Sequence, residues 1–403
     1  MKAFDVHIPT RLLFGDQQES KFIKAIFTQG KKVTIVIGGG SMERLGYLKR
    51  VSGAIEKNGG EVQVFRGIEP NPHANTIDKA AEEARTFGTE VFVALGGGSV
   101  MDATKCIAAL AKSGEKNIWP FTLGNEKRGQ LGDALPIAAI PTTAATASEV
   151  TPYAVVSNPE TNGKEPIAHP TFKPFVAWLN PDFTTKLPAT TTQDGASDIL
   201  SHVFENYLLG GNDSPIADRY SEGIIETVMD TLPRVLADPE NADYRGRLLW
   251  ASSLALNGMQ QAGRNPGEFV MHSMEHALSG FYPELAHGRG LATLYPAYFR
   301  WLIQQNRAID RLALLGQRIF RIQDENTTEC AIQFVDRFEG WLRENNLLQS
   351  LSDLGIPEDR FDEIAEYAVA VYGRNGVLNA LGDLPKEEIV RIFKATEAQT
   401  LKV

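Results

Sequence analysis

The stretch EVFVALGGGSVMDATKCIAALAKSG, residues 90–114, decides the fold. Its opening, EVFVALGGG (90–98), is apolar at every position from Val91 to Leu95 and then turns to glycine. A strand with one wet face would alternate apolar and polar residues. A continuous apolar run instead reads as a strand covered on both faces, as in a parallel sheet. SVMDATKCIAALAKSG continues at helical spacing and stops at Gly114. Upstream, KKVTIVIG (31–38) enters Gly38-Gly39-Gly40-Ser41, and a helix is expected over roughly 41–58, ending at Asn58-Gly59-Gly60. EVQVF (61–65) reads as the next strand, followed by the loop GIEPNPHAN and a helix through about Phe87. Downstream, LPIAAIP (135–141) is a further buried strand. This alternation predicts an N-terminal α/β domain built on a doubly wound parallel sheet, Rossmann-like in plan.

The pattern changes at LNPDFTTKLP (179–188). Beyond it DILSHVFENYL, SPIADRYSEGIIETVMDTL and DRLALLGQRIFRI show helical spacing, no strand is predicted, and the C-terminal half reads as all-α. At 403 residues the chain is too long for one ordinary core, so two domains are expected, 1–183 and 184–403. Neither a solenoid repeat nor a low-complexity tract is present.

Composition narrows the function classes. A net charge of −10 argues against a nucleic-acid or anionic-membrane partner, because phosphate binding needs a basic face. No apolar run is long enough to span a bilayer, and MKAFDVHIPTRLLFG lacks a signal-peptide core. The two cysteines, Cys106 and Cys330, stand in no ligand-like spacing and suit a reducing cytoplasm.

Two strand–helix junctions repeat one local sequence, Gly38-Gly39-Gly40-Ser41 and Gly96-Gly97-Gly98-Ser99. Glycines there allow a sharp turn and close ligand approach, and a helix N-terminus offers amides to a phosphate. Neither junction is the GxGxxG fingerprint, and a tight structural turn is the bland alternative. Asp102 suits a capping box as well as a ligand contact, and Lys105 lies one turn on and suits a pair with it. The hydroxyl-rich PTTAATASEVT (141–151) follows a buried strand, where ligands bind in this architecture.

HSMEHALSGFYPELAH (272–287) holds three of the chain's seven histidines. His272 and His276 are four apart, as are Asp198 and His202 in DILSH, and His287 follows a turn. Side chains at i, i+4 share one helix face and converge on one point, which is how helices build metal sites. One carboxylate with several imidazoles fits Fe²⁺ or Zn²⁺ better than Mg²⁺ or Ca²⁺. Chance pairing on a helix surface is the bland alternative, and HEXXH is absent.

The chain resembles the iron-containing (group III) alcohol dehydrogenases over nearly its whole length. The shared stretches are HIPTRLLFG, PNP at 71, GGGSVMDATK, PTTAATASEVT, the LNP boundary, DILSHVFE and HSMEHALSGFY…AHG. Within that family it is most similar to the NADP-dependent butanol dehydrogenase-like aldehyde reductases. The resemblance implies hydride transfer between NADP(H) and small to medium-chain aldehydes or primary alcohols by a cytoplasmic homodimer. It implies metal ligands Asp198, His202, His272 and His287, with Fe²⁺ ahead of Zn²⁺. His276 would face substrate and nicotinamide, and it is the candidate for the proton relay, with a water or the ribose hydroxyl as the alternative. Gly97, Gly98 and Ser99 would meet the pyrophosphate with Asp102 beside them. Thr142, Thr143 and Ser148 would line the phosphate and nicotinamide region, and Lys164 would face the ribose. The gap from His276 to His287 is one residue longer than the family's usual pattern. NAD-dependent relatives place an acidic residue at the end of the first strand. Here Gly38, Gly39, Gly40 and Ser41 present amides and a hydroxyl, with Arg44 a turn later, so a 2′-phosphate meets no like charge. The nearest alternative is a glycerol dehydrogenase- or dehydroquinate synthase-like metalloenzyme of the same fold. Those have fewer histidine ligands, and the synthase needs a basic cluster. A metallohydrolase would leave the glycine turns unexplained, and a nucleotide-binding sensor would bind NADP without turnover.

Overall fold

The computed structural model describes residues 2–210, 214–265, 267–379 and 381–400. Its strands are β1 (Arg11–Phe14), β2 (Lys32–Val36), β3 (Glu61–Phe65), β4 (Val91–Gly96), β5 (Ile137–Pro141), β6 (Tyr153–Asn158), β7 (Gly163–Ala168), β8 (Val176–Leu179), β9 (Leu378–Asn379) and β10 (Asp383–Leu384). Helices of the first half are α1 (Glu19–Ile26), α2 (Ser41–Arg44), α3 (Tyr47–Lys57), α4 (Ala74–Phe87) and α5 (Gly98–Ser113). Those of the second half are α6 (Ala189–Leu209), α7 (Pro215–Ala237), α8 (Ala242–Ala255), α9 (Val270–Phe281), α10 (His287–Gln304), α11 (Ile309–Ile319), α12 (Thr327–Glu344), α13 (Phe361–Tyr372) and α14 (Lys386–Ala395).

The chain forms two compact units. One comprises Ile8–Leu187 with Pro239–Ser253, the other Met1–His7 with Pro188–Asp238 and Leu254–Val403. The sequence boundary at 183/184 keeps all later residues together, whereas the segment Pro239–Ser253, most of α8, packs with the α/β unit. Gly246 explains how: a Cβ there would stand 3.0 Å from Phe14 and 3.1 Å from Pro181, so the helix lies directly on that unit.

In the α/β unit six parallel strands run in the order β1-β8-β5-β4-β2-β3. Alternate residues of a single strand enter two separate cores. Val33, Ile35 and Ile37 pack with Phe22, Ile26, Val51 and Ile55 from α1 and α3. Val36, Phe92 and Ala94 pack with Ala80, Ala84, Ile107 and Leu110 from α4 and α5. Both faces are apolar because both are covered, which is why these strands read as continuous runs. The expected helix over 41–58 is two helices, α2 and α3, parted by Gly46 at φ 77.

The second unit is helical. Its core centres on Phe204, with the rings of Tyr295, Phe299, Phe334 and Phe338 at centroid distances of 5.5, 5.5, 6.3 and 5.2 Å. One small antiparallel ribbon, β9 with β10, departs from the all-helical expectation. No helix among the described residues is long and apolar enough to cross a membrane.

Candidate active site

Three helices of the helical unit bring Asp198, His202, His272 and His287 together. Helix α6 is buried along almost its whole length and carries Asp198 and His202 on one face. Helix α9 carries His272 and His276, and α10 begins at His287. The residues between α9 and α10 close a turn in which Leu285 N–H donates to the Tyr282 carbonyl at 2.9 Å. Beyond that turn, His287 reaches the cluster, its Nε2 lying 3.6 Å from Asp198 Oδ1.

The geometry converges on one oxygen. Asp198 Oδ1 lies 3.7 Å from His202 Nδ1, 3.7 Å from His272 Nε2 and 3.6 Å from His287 Nε2. Asp198 Oδ1, His202 Nδ1 and His272 Nε2 are buried and have no hydrogen-bond partner. Buried polar atoms left in that state cost free energy, so three of them facing one point mark a place for a cation. Separations of 3.6–3.7 Å are those of ligand atoms roughly 2.0–2.2 Å from a common ion. The residues therefore fit a divalent metal.

Two carboxylates that the sequence reading missed orient the imidazoles. Glu205 Oε2 bonds His272 Nδ1, and Glu275 Oε2 bonds His287 Nδ1. Each bond turns the opposite ring nitrogen, Nε2, toward Asp198. Glu205 also accepts from the backbone N–H of Met271 at 2.7 Å, tying α6 to the start of α9. The signal was available: Glu205 stands seven residues after Asp198, and Glu275 three after His272, on the same helix faces.

Charge follows from this packing. Burial favours a protonated Asp198, yet His202, His272 and His287 hold its carboxyl below the usual range. Burial drives His202 down to about 3, so it stands neutral with a free lone pair. Burial also works against charge on His272, but Glu205 and Asp198 outweigh it and raise this ring to about 10. Three buried carboxylates thus face three imidazoles, a set short of positive charge unless protons or a cation supply it. His276 is buried but outside the set facing Asp198. Its ring centroid lies 5.2 Å from that of His287 and 6.0 Å from that of Tyr372.

In the α/β unit, the two glycine turns sit side by side. β2 pairs with β3 on one side and β4 on the other, so strand order reverses there, at the switch point where open α/β sheets bind ligands. Gly38, Gly39, Gly40 and Ser41 leave β2, and Gly97, Gly98 and Ser99 leave β4. Gly40 has φ 97, and a Cβ at Gly40 would lie 3.4 Å from Arg44 Nη1, so the guanidinium covers this turn. Gly97 and Gly98 are required by close approach: a Cβ would meet Thr143 Oγ1 at 2.9 Å or Thr146 Cγ2 at 2.5 Å. Thr142 N–H donates to Gly96 at 3.0 Å, which keeps Thr142 and Thr143 beside the glycines.

Three expected cofactor residues, Asp102, Ser148 and Lys164, have structural ties of their own. Asp102 does not act as a helix cap; α5 starts from Gly97 without a side-chain cap bond. Its carboxylate instead accepts from Ser148 Oγ at 2.5 Å and from Val155 N–H at 2.9 Å. Lys105 is 3.9 Å from Asp102 and donates to other groups, Ser148 Oγ at 2.6 Å and the Tyr153 carbonyl at 2.6 Å. Lys164 is buried on β7 opposite Ser157, whose N–H reaches Pro72 of the PNP loop at 2.9 Å.

A helical unit whose residues fit a divalent metal and an α/β unit with glycine turns at its switch point are together the parts of a metal-dependent, nicotinamide-linked oxidoreductase. Residues 9–181 match the iron-containing alcohol dehydrogenase family, and residues 192–396 match the C-terminal domain of the Fe-containing alcohol dehydrogenase family. The chain belongs to the iron-containing alcohol dehydrogenases. It is 34% identical over 396 residues to the NADH-dependent butanol dehydrogenase B of Clostridium acetobutylicum, covering 98% of this chain and 99% of that one. It is 33% identical over 356 residues to the NADPH-dependent aldehyde reductase YqhD of Escherichia coli, covering 88% and 90%. The crystal structure of an NADH-dependent butanol dehydrogenase A from Thermotoga maritima superposes with a TM-score of 0.92 at 31% identity, covering 98% of this chain and 99% of that one.

Proposed function

We propose that this alcohol dehydrogenase works as an NADPH-preferring reductase of small to medium-chain aldehydes, with Asp198, His202, His272 and His287 holding one divalent ion, Fe²⁺ ahead of Zn²⁺. The observation that carries the metal reading is the convergence of three unpartnered donor atoms on one buried point. When bound, such an ion supplies Lewis acidity to a carbonyl oxygen. Asp198 is the one anion among the four side chains, so an ion with these ligands alone would carry net positive charge toward a substrate oxygen, which Glu205 and Glu275 behind the imidazoles reduce. Glu205 and Glu275 hold the His272 and His287 rings in the liganding orientation. His276, beside His287, is the group we assign to deliver a proton to the alcohol oxygen, while hydride transfer is the chemistry of the nicotinamide. Gly97, Gly98, Ser99, Thr142 and Thr143 would receive the pyrophosphate and its flanking groups, and Lys164 the ribose.

The NADPH preference rests on Gly38–Ser41. No carboxylate lies within that turn, Gly39 has open space before it, and Arg44 lies over Gly40. Relatives named for NADH and for NADPH both occur, so the preference rests on this turn and not on the relatives. Butanal is the test substrate because the Clostridium acetobutylicum and Thermotoga maritima relatives are both named butanol dehydrogenases. A reducing cytoplasm accords with Cys106 and Cys330, both buried free thiols. The homodimer rests on the family resemblance alone.

The test follows oxidation of NADPH and of NADH with butanal, before and after chelation and re-addition of Fe²⁺ or Zn²⁺. We expect faster turnover with NADPH, loss on chelation and recovery with metal, and an Arg44→Ala variant that loses NADPH affinity while keeping that for NADH. Turnover that survives complete metal removal would overturn the role of Asp198 and the histidines.

A further inference from the structure

Lys105 is a fully buried lysine that the reaction does not use. Its Nζ donates to Ser148 Oγ at 2.6 Å, to Thr151 Oγ1 at 3.3 Å and to the Tyr153 carbonyl at 2.6 Å. Ser148 and Thr151 belong to the segment that leaves β5 and passes the glycine turn, and Tyr153 opens β6 directly after it. That segment is strained. Ala147 adopts φ 54, a left-handed conformation that a side-chain-bearing residue rarely takes, immediately before Ser148. It also packs without slack, since Thr146 occupies the space where Gly98 would carry a Cβ. A strained loop persists when its surroundings over-determine it, and one ammonium serving three acceptors does that from a single point.

Charge adds a second observation. The Asp102 carboxylate stands one turn into α5, whose N-terminus faces the loop, and Lys105 lies 3.9 Å from it. Glu149 is buried nearby and bonded by Ser253 Oγ at 2.5 Å; burial pushes its carboxyl up, away from the charged form. Asp102 is the carboxylate that stands within 4 Å of the Lys105 ammonium, beside the glycine turn where two phosphates would approach.

We propose that Lys105 is a positioning residue for the dinucleotide: it holds the 141–151 loop against α5 and neutralises Asp102 beneath the pyrophosphate. This rests on the reading that the glycine turn and this loop receive the cofactor. The role concerns the part that NADH and NADPH share, unlike that of Arg44.

The experiment uses the full-length, metal-loaded protein and measures dissociation constants for NADPH and NADH by nicotinamide fluorescence. Lys105→Met, Asp102→Asn and the double variant are compared with the parent. Lys105→Met is expected to weaken both cofactors about tenfold or more, and by the same factor, as loss of bonds from a charged donor predicts. KM for butanal at saturating cofactor and bound metal should not change. The double variant should recover part of the lost affinity, because the uncompensated carboxylate is gone. If Lys105→Met does not fold, Thr151→Val removes one acceptor only and should weaken both cofactors equally, by less. Unchanged affinity accompanied by a lower Tm would overturn the positioning role and leave Lys105 a packing residue, as would a double variant no better than Lys105→Met. A parent protein that binds neither dinucleotide would overturn the cofactor reading itself.

Discussion

Two of the histidines facing Asp198 give one ring nitrogen to a buried carboxylate, which leaves the other to the shared centre. Changing Glu205 or Glu275 to Gln keeps volume and an acceptor oxygen but removes the charge that makes the imidazole a strong donor. Each change should lower metal affinity about 10–100-fold, measured by competition with a chromophoric chelator. Unaltered affinity would reduce both carboxylates to packing elements. Asp198, His202, His272, His276 and His287 were legible in the sequence because spacing and the scarcity of histidine single them out in one dimension, whereas taking His287 rather than His276 as the fourth candidate ligand comes from the family resemblance. Glu205 and Glu275 were not, because a carboxylate on a helix reads as solvated until burial is known; both are at most 5% exposed. Lys105 was legible as a partner for Asp102 by spacing, yet its bonds go to residues more than 40 positions away in the chain, which spacing cannot reveal.

Among elements, α10 depends on how closely it can start against α6. A Cβ on Gly288 would lie 1.8 Å from the Asp194 carbonyl oxygen, a backbone atom that cannot swing aside. Gly288→Ala should therefore shift the first turn of α10 and with it His287. The expected cost is about 3 kcal/mol in denaturant unfolding, with reduced metal content in the protein that remains folded. Full metal occupancy in a stable Gly288→Ala protein would show that α10 tolerates the displacement. Strands β2 to β5 and helices α4 and α5 were legible because both sheet faces are covered and the apolar runs are unbroken. Strands β1 and β8 and the ribbon β6–β7 were not predicted. β1 and β8 span four residues each, and β6 and β7 carry Tyr153, Ser157, Lys164 and Glu165, a polar set that reads as loop. The break at Gly46 was hidden because the residues on both sides keep helical spacing.

Across the whole molecule, the candidate metal ligands come from α6, α9 and α10 and therefore from both separate stretches of the helical unit, 188–238 and 254–403. An ion held by all four side chains binds only when both stretches are folded, so it stabilises by mass action. At a free metal concentration about 100 times Kd the gain is about 2.7 kcal/mol, or roughly 5 °C in Tm. A calorimetric scan with and without chelator should show this shift, and superimposable scans would place the ion outside the folded core. The chain also leaves the α/β unit after Leu187 and returns for Pro239–Ser253. On that return Ser252 Oγ accepts from Ala145 N–H at 3.0 Å and Ser253 Oγ donates to Glu149 at 2.5 Å, both in the loop after β5. This gives synthesis a direction-dependent lag. While the first 187 residues leave the ribosome, the serines that tie down the loop after β5 do not yet exist, and those ties form only after both intervening helices, α6 and α7, have emerged.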